Sequence, residues 1–90
     1  MKHNLTEKIK NALIKVLNLD SNKNIISTTR LKEDLGLDSM SSLTFLMALE
    51  ESIIGFIVDP ETLESNHLET LDTITEYVLL QLKEAKDVYY

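Results

Sequence analysis

Glu33-Asp34-Leu35-Gly36-Leu37-Asp38-Ser39-Met40 is a loop that ends by starting a helix. Gly36 has no β-carbon and can take backbone conformations closed to other residues, so it suits a tight approach. Asp38 or Ser39 can satisfy the first free backbone N–H groups of the helix that follows. Residues 40–54 contain neither proline nor glycine and are mostly good helix formers. The stretch therefore stands a serine hydroxyl at a helix N-terminus, with an acid before it and an apolar residue after it.

The helix over 40–54 carries two apolar stripes. Phe45, Leu46, Leu49 and Ile53 form one; Met40, Leu43, Met47 and Ile54 form the other. A helix apolar over much of its circumference is either fully buried or offers a face to a partner. Ninety residues make one small domain, too small to bury a helix easily on every side. One stripe is therefore expected in the core and the other at least partly exposed, near Ser39. Methionine suits a surface that must accept several shapes; the plainer alternative is that Met40 and Met47 fill gaps in the core. The pattern by itself does not say which stripe is which.

Upstream, Leu5, Ile9, Ala12, Leu13, Val16 and Leu17 recur at helical spacing. Asn4 is the candidate cap of this first helix, with Glu7 as its reciprocal partner, and the end falls at Leu17 or Leu19. Residues 20–30 hold turn formers and no helical period, with Ile25, Ile26 and Leu31 to pin the loop to the core. A loop this long in a small domain is often functional, and this one leads into Ser39. Downstream, Gly55 can close the second helix in a left-handed conformation. Phe56-Ile57-Val58 has no partner strand and reads as an extended crossing. Asp59-Pro60-Glu61 opens one helical turn to Leu63, and Ser65 can cap another short turn. Thr70 caps a last helix with Leu71, Ile74, Tyr77, Val78 and Leu82 inward, ending near residues 84–86. Residues 87–90 read as a frayed tail, so the single domain of residues 1–90 has its core over about 4–85.

Charge is uneven. Residues 1–49 hold five acidic and seven basic side chains, and residues 50–90 hold ten and two, giving the net −6. An acidic second half disfavours nucleic acid and anionic membranes and favours basic protein surfaces; a plain solubilising surface is the alternative. No apolar run approaches the roughly 20 residues of a membrane span. Met1-Lys2-His3-Asn4 leads straight into the first helix without a secretory pattern, so a cytoplasmic setting is expected. The chain has no cysteine, which excludes disulfides and Cys-based metal sites.

Asp38-Ser39-Met40, preceded by Asp34-Leu35-Gly36-Leu37 and followed by Leu43-Thr44-Phe45-Leu46-Met47-Ala48-Leu49-Glu50-Glu51, resembles an acyl carrier protein from about Leu5 to Leu82. The resemblance implies an all-α, acyl-carrier-like four-helix bundle with a short third helix and a long loop between helices one and two. It implies a phosphopantetheine arm, taken from coenzyme A, on Ser39, with Asp38 serving as cap or recognition residue. It turns Phe45, Leu46, Leu49 and Ile53 inward. Met40, Leu43, Thr44, Met47, Glu50 and Glu51 then meet the partners: a carrier protein synthase and acyl-transferring or condensing enzymes. The implied role is a monomeric carrier, not an enzyme, that holds acyl or aminoacyl thioesters for fatty-acid, polyketide or related biosynthesis. A small acidic interaction module with an unmodified Ser39 is the alternative.

Other chemistries are weakly supported. A nucleophilic Ser39 needs a base in reach. The histidines are only His3 and His67, and no Gly-x-Ser-x-Gly elbow exists. His67 with Glu64, Glu69 and Asp72 has irregular spacing for a metal, and no EF-hand loop is present. One departure from the generic carrier pattern stands out: Ser41, Ser42 and Thr44 occupy the turn after the serine, where fatty-acid carriers usually place acids. That turn, together with residues 56–63, points to a specialised rather than a housekeeping member.

Overall fold

The computed structural model describes residues 2–21 and 23–88, and the side chains of 4–21 and 23–82. Among the described residues there are three α-helices, α1 (Lys2–Leu17), α2 (Ser39–Ser52) and α3 (Leu71–Val88), and one 3₁₀ turn, Ser65–Leu68. The expected count is four helices with a short third; the described residues hold three α-helices, and a single 3₁₀ turn stands between α2 and α3. No strand forms among the described residues, and Arg30 and Thr70 make an isolated antiparallel bridge.

α1 packs against both α2 and α3, and the 3₁₀ turn packs on α3. The core joins Leu5, Ile9 and Leu13 of α1 to Phe45, Leu46 and Leu49 of α2 and to Leu71, Ile74 and Val78 of α3. Tyr77 is buried at the centre, edge-on to Phe56 with ring centroids 6.2 Å apart. Its hydroxyl accepts from Asp59 N–H at 3.2 Å, and Asp59 C=O lies 3.3 Å away, so this buried polar group is satisfied by backbone.

Several boundaries differ from the sequence expectation. α1 starts at Lys2, which puts Asn4 inside the helix rather than at its cap. Ile26 is half exposed because the chain turns at 26–29, where Thr29 Oγ1 accepts from Ile26 N–H at 2.8 Å; Ile25 and Leu31 do the pinning. α2 ends at Ser52 with Ile53 as an extended C-cap. Gly55, at φ +88°, therefore serves the next turn, in which Phe56 N–H donates to Ile53 C=O; a positive φ at the third residue is what a type II turn requires. The 3₁₀ turn is preceded by Glu64, which displaces Ser65 from the cap. Thr70 does cap α3, exchanging hydrogen bonds with Thr73: Thr70 Oγ1 accepts from Thr73 N–H and Thr73 Oγ1 from Thr70 N–H. α3 runs on to Val88, past the expected end, and Tyr89 and Tyr90 of the expected tail lie outside the described residues.

Candidate functional site: the loop-to-helix junction at Ser39

Residues 18–38 join α1 to α2, and backbone bonds to the start of α3 set their course. Leu31 N–H donates to Glu69 C=O at 2.8 Å, Leu71 N–H to Thr29 C=O at 3.2 Å, and Asp72 N–H to Ser27 C=O at 2.9 Å. After this seam the chain makes one tight coil. Asp34 N–H reaches Arg30 C=O, Gly36 N–H reaches Lys32 C=O, and Leu37 N–H reaches back to Leu31 C=O at 2.9 Å. Gly36 permits that closure at φ +83°. A β-carbon there would meet nothing within 4 Å, so the glycine is needed for its backbone angle and not for a close approach. Leu31, Leu35 and Leu37 are buried and anchor the coil.

Asp38 is the N-cap of α2. Its Oδ1 accepts from Ser41 N–H at 2.8 Å and from Ser41 Oγ at 2.7 Å, and Ser41 Oγ accepts from Asp38 N–H at 2.9 Å. Ser41 thus fills the reciprocal place that glutamate usually takes in a capping box. The Ser41 N–H bond, with help from the Ser41 hydroxyl, holds the Asp38 carboxyl below the usual carboxylate range. Asp34 is likewise held down, first by Arg30 N–H and then by the Arg30 guanidinium. Ser39 follows the cap as the first residue of α2. It is exposed, and its hydroxyl has no hydrogen-bond partner among the described residues.

An open groove of about 630 Å³ runs beside Ser39, between the start of α2 and the 3₁₀ turn. Leu37, Ser42, Ser65 and Asn66 are among its walls, and Arg30 and Lys32 bring positive charge to it. Sequence reasoning did not single out these residues as a set. They meet only because the 27–31 segment is stitched to 69–72, and no local pattern announces that pairing.

The outer face of α2 is apolar. Met40 is 81% exposed, Leu43 64% and Met47 55%, while Phe45 and Leu49 are at 0%. Ile54 and Ile57 are exposed beyond the helix end. Thr44 donates its hydroxyl to Met40 C=O at 3.3 Å. Glu51 is exposed; Glu50 is exposed too, but its carboxylate accepts from Val58 N–H at 2.8 Å and ties down the chain after Gly55. His67 is engaged in structure: its Nδ1 accepts from Glu64 N–H at 2.9 Å and its ring lies 4.7 Å from that of Tyr77. Among the described residues no cluster of three His, Cys, Asp or Glu could hold a metal, and no helix is long and apolar enough to cross a membrane.

A family described as a phosphopantetheine attachment site matches residues 7–78. Those residues run from α1 through the Ser39 junction into α3, and the family is one whose members carry a covalently attached phosphopantetheine. The chain is 38% identical over 72 residues to an acyl carrier protein of Phytoplasma australiense, covering 80% of this chain and 90% of that one. It is 34% identical over 59 residues to a mitochondrial acyl carrier protein of Neurospora crassa, covering 66% of this chain and 42% of that one. The chain belongs to the acyl carrier protein family: it is a carrier and not an enzyme.

Proposed function

We propose that Ser39 is the attachment point of the phosphopantetheine arm, and that the arm carries acyl or aminoacyl thioesters to enzymes that dock on the outer face of α2. The observation that carries this reading is the state of the Ser39 hydroxyl: exposed, without a partner among the described residues, and opening onto a groove. The residues present fit the group. A phosphodiester on Ser39 Oγ would lie in the first turn of α2, where the helix dipole favours an anion. When bound, the arm supplies the thiol that this cysteine-free chain lacks. Asp38 holds the helix start in shape and offers its carboxylate to the carrier protein synthase.

Met40, Leu43, Thr44 and Met47 form the centre of the docking face, with Glu50 and Glu51 at its far end. Tethering raises the local concentration of cargo at each docked enzyme. Ser41, Ser42 and Thr44 carry no charge, so the part of this face that follows Ser39 is neutral. That supports a specialised carrier, with a polyketide, aminoacyl or related cargo, over a housekeeping fatty-acid one. In this reading residues 1–90 are a single, monomeric, cytoplasmic carrier domain, and the 3₁₀ turn stands as the short third helix of a four-helix carrier bundle with a long first loop. The test is intact mass after incubation with coenzyme A and a carrier protein synthase. Wild type gains one arm; Ser39→Ala folds with stability within about 0.5 kcal/mol, because Asp38 is the cap, and gains none. A gain on Ser39→Ala equal to wild type refutes the assignment.

A further inference from the structure

Asp38 and a phosphodiester on Ser39 would put two negative charges on adjacent residues at the mouth of one groove. Hydrogen bonds from Ser41 keep Asp38 ionised. No acidic or basic residue follows in the first turn of α2 to alter the balance. Beyond the helix dipole, the groove's other walls offer two cations, Arg30 and Lys32, alongside two further acids, Glu33 and Glu69. Arg30 is already committed: its guanidinium lies 2.6 Å from Glu33 Oε2 and 3.3 Å from Asp34 Oδ1, and its N–H donates to Asp34 Oδ2. Lys32 is exposed and makes no ion pair among the described residues. Its backbone is fixed, because its C=O accepts from Gly36 N–H at 3.0 Å within the coil that Leu37 closes. Its neighbours Leu31 and Leu35 are buried, so the coil turns Lys32 outward onto the groove that Ser39 shares.

We propose that Lys32 is a positioning residue for the prosthetic arm, its ammonium pairing with the phosphodiester on Ser39 and holding the start of the arm in the groove. The inference rests on Ser39 being the attachment point. It assigns the lysine a role that the docking face on α2 does not supply, and it makes the groove rather than open solvent the resting place of the unloaded arm. An exposed pair of this kind favours the paired state by about two- to fivefold, and it is screened when salt shortens the Debye length to about 4 Å near 0.5 M.

The experiment compares apo and holo protein by NMR, after mass has shown loading. On loading, the Lys32 side-chain methylene resonances should shift while those of Lys8, Lys10 and Lys15 on α1 stay in place, and about 0.5 M salt should erase the shift. The phosphorus resonance of the holo protein should move in Lys32→Met and stay near wild type in Lys32→Arg. A normal mass gain with unmoved Lys32 resonances and the same phosphorus signal in Lys32→Met overturns the proposal and leaves the carrier reading standing. Failure to load at all overturns the carrier reading, and this inference with it.

Discussion

Phe45 and Met47 stand two positions apart on α2, so their side chains project about 200° apart around the helix. Phe45 is fully buried among α1 and α3 residues, and Met47 is 55% exposed. Truncating a buried phenylalanine to alanine costs about 3–5 kcal/mol, because transfer energy is lost and the cavity collapses only in part. Truncating a half-exposed methionine that fills no interior space should cost about 0.5 kcal/mol or less. A small domain has about 5–15 kcal/mol to lose, so Phe45→Ala takes away a large share and Met47→Ala almost none. With a urea slope of about 1–2 kcal/mol/M for a chain this small, Phe45→Ala should lower the unfolding midpoint by about 1.5–5 M. Met47→Ala should move it by less than about 0.5 M. Helical circular dichroism across a urea series reads both, and equal slopes would show that the two-state comparison is sound. The same two proteins go into a loading assay with a carrier protein synthase, where Met47→Ala should raise KM with its fold intact. Equal and large midpoint losses would show that Met47 is core and that α2 has no free face.

Gly36→Ala meets no neighbour, so its cost is the left-handed backbone angle alone, about 1–2 kcal/mol; a urea midpoint loss well beyond that would mean a close approach that the structure lacks. Asp38 and Asp34 have folded-state pKa values below the ordinary carboxylate value. Their contribution to stability is therefore complete above the unfolded value of about 4 and is lost as pH falls through the lower folded values. Thermal midpoints from neutral pH into this acid window should fall, and Asp38→Asn should flatten the fall; an equal slope in the variant refutes Asp38's share. Thr44→Glu restores an acid beside the arm without touching the Asp38–Ser41 box. It should speed use by housekeeping fatty-acid enzymes at low salt, with the gain removed by about 0.5 M salt; if wild type already equals a housekeeping carrier, the specialised reading fails.

The parts of this fold that were legible in the sequence are those governed by helical period. The inward residues of all three helices repeat every three or four positions, and they are the ones found buried, except that Val16, Leu17 and Leu82 are only partly buried against the core. The Asp38-Ser39 junction was legible as a cap followed by a helix, although its partner, Ser41, was not, because serine rarely stands where a capping box wants glutamate. Asn4 misled because a capping residue near a helix start carries no mark of which residue begins the turn. Gly55 misled by one turn for a related reason: a positive φ serves a helix end and a type II turn alike. Glu50 read as a partner-facing acid, and its bond to Val58 N–H depends on a loop path that no local pattern fixes. The groove was invisible, since its walls are far apart in the chain and are brought together by backbone bonds that any residue could make.

Those bonds also bear on when the site comes into being. α1 and the 31–37 coil are built from contacts a few residues apart, which form quickly. The seam between 27–31 and 69–72 must wait for α3 and must close a loop of about 40 residues. A chain halted before that closure would present its serine on a helix end without the walls that the closed seam brings beside it.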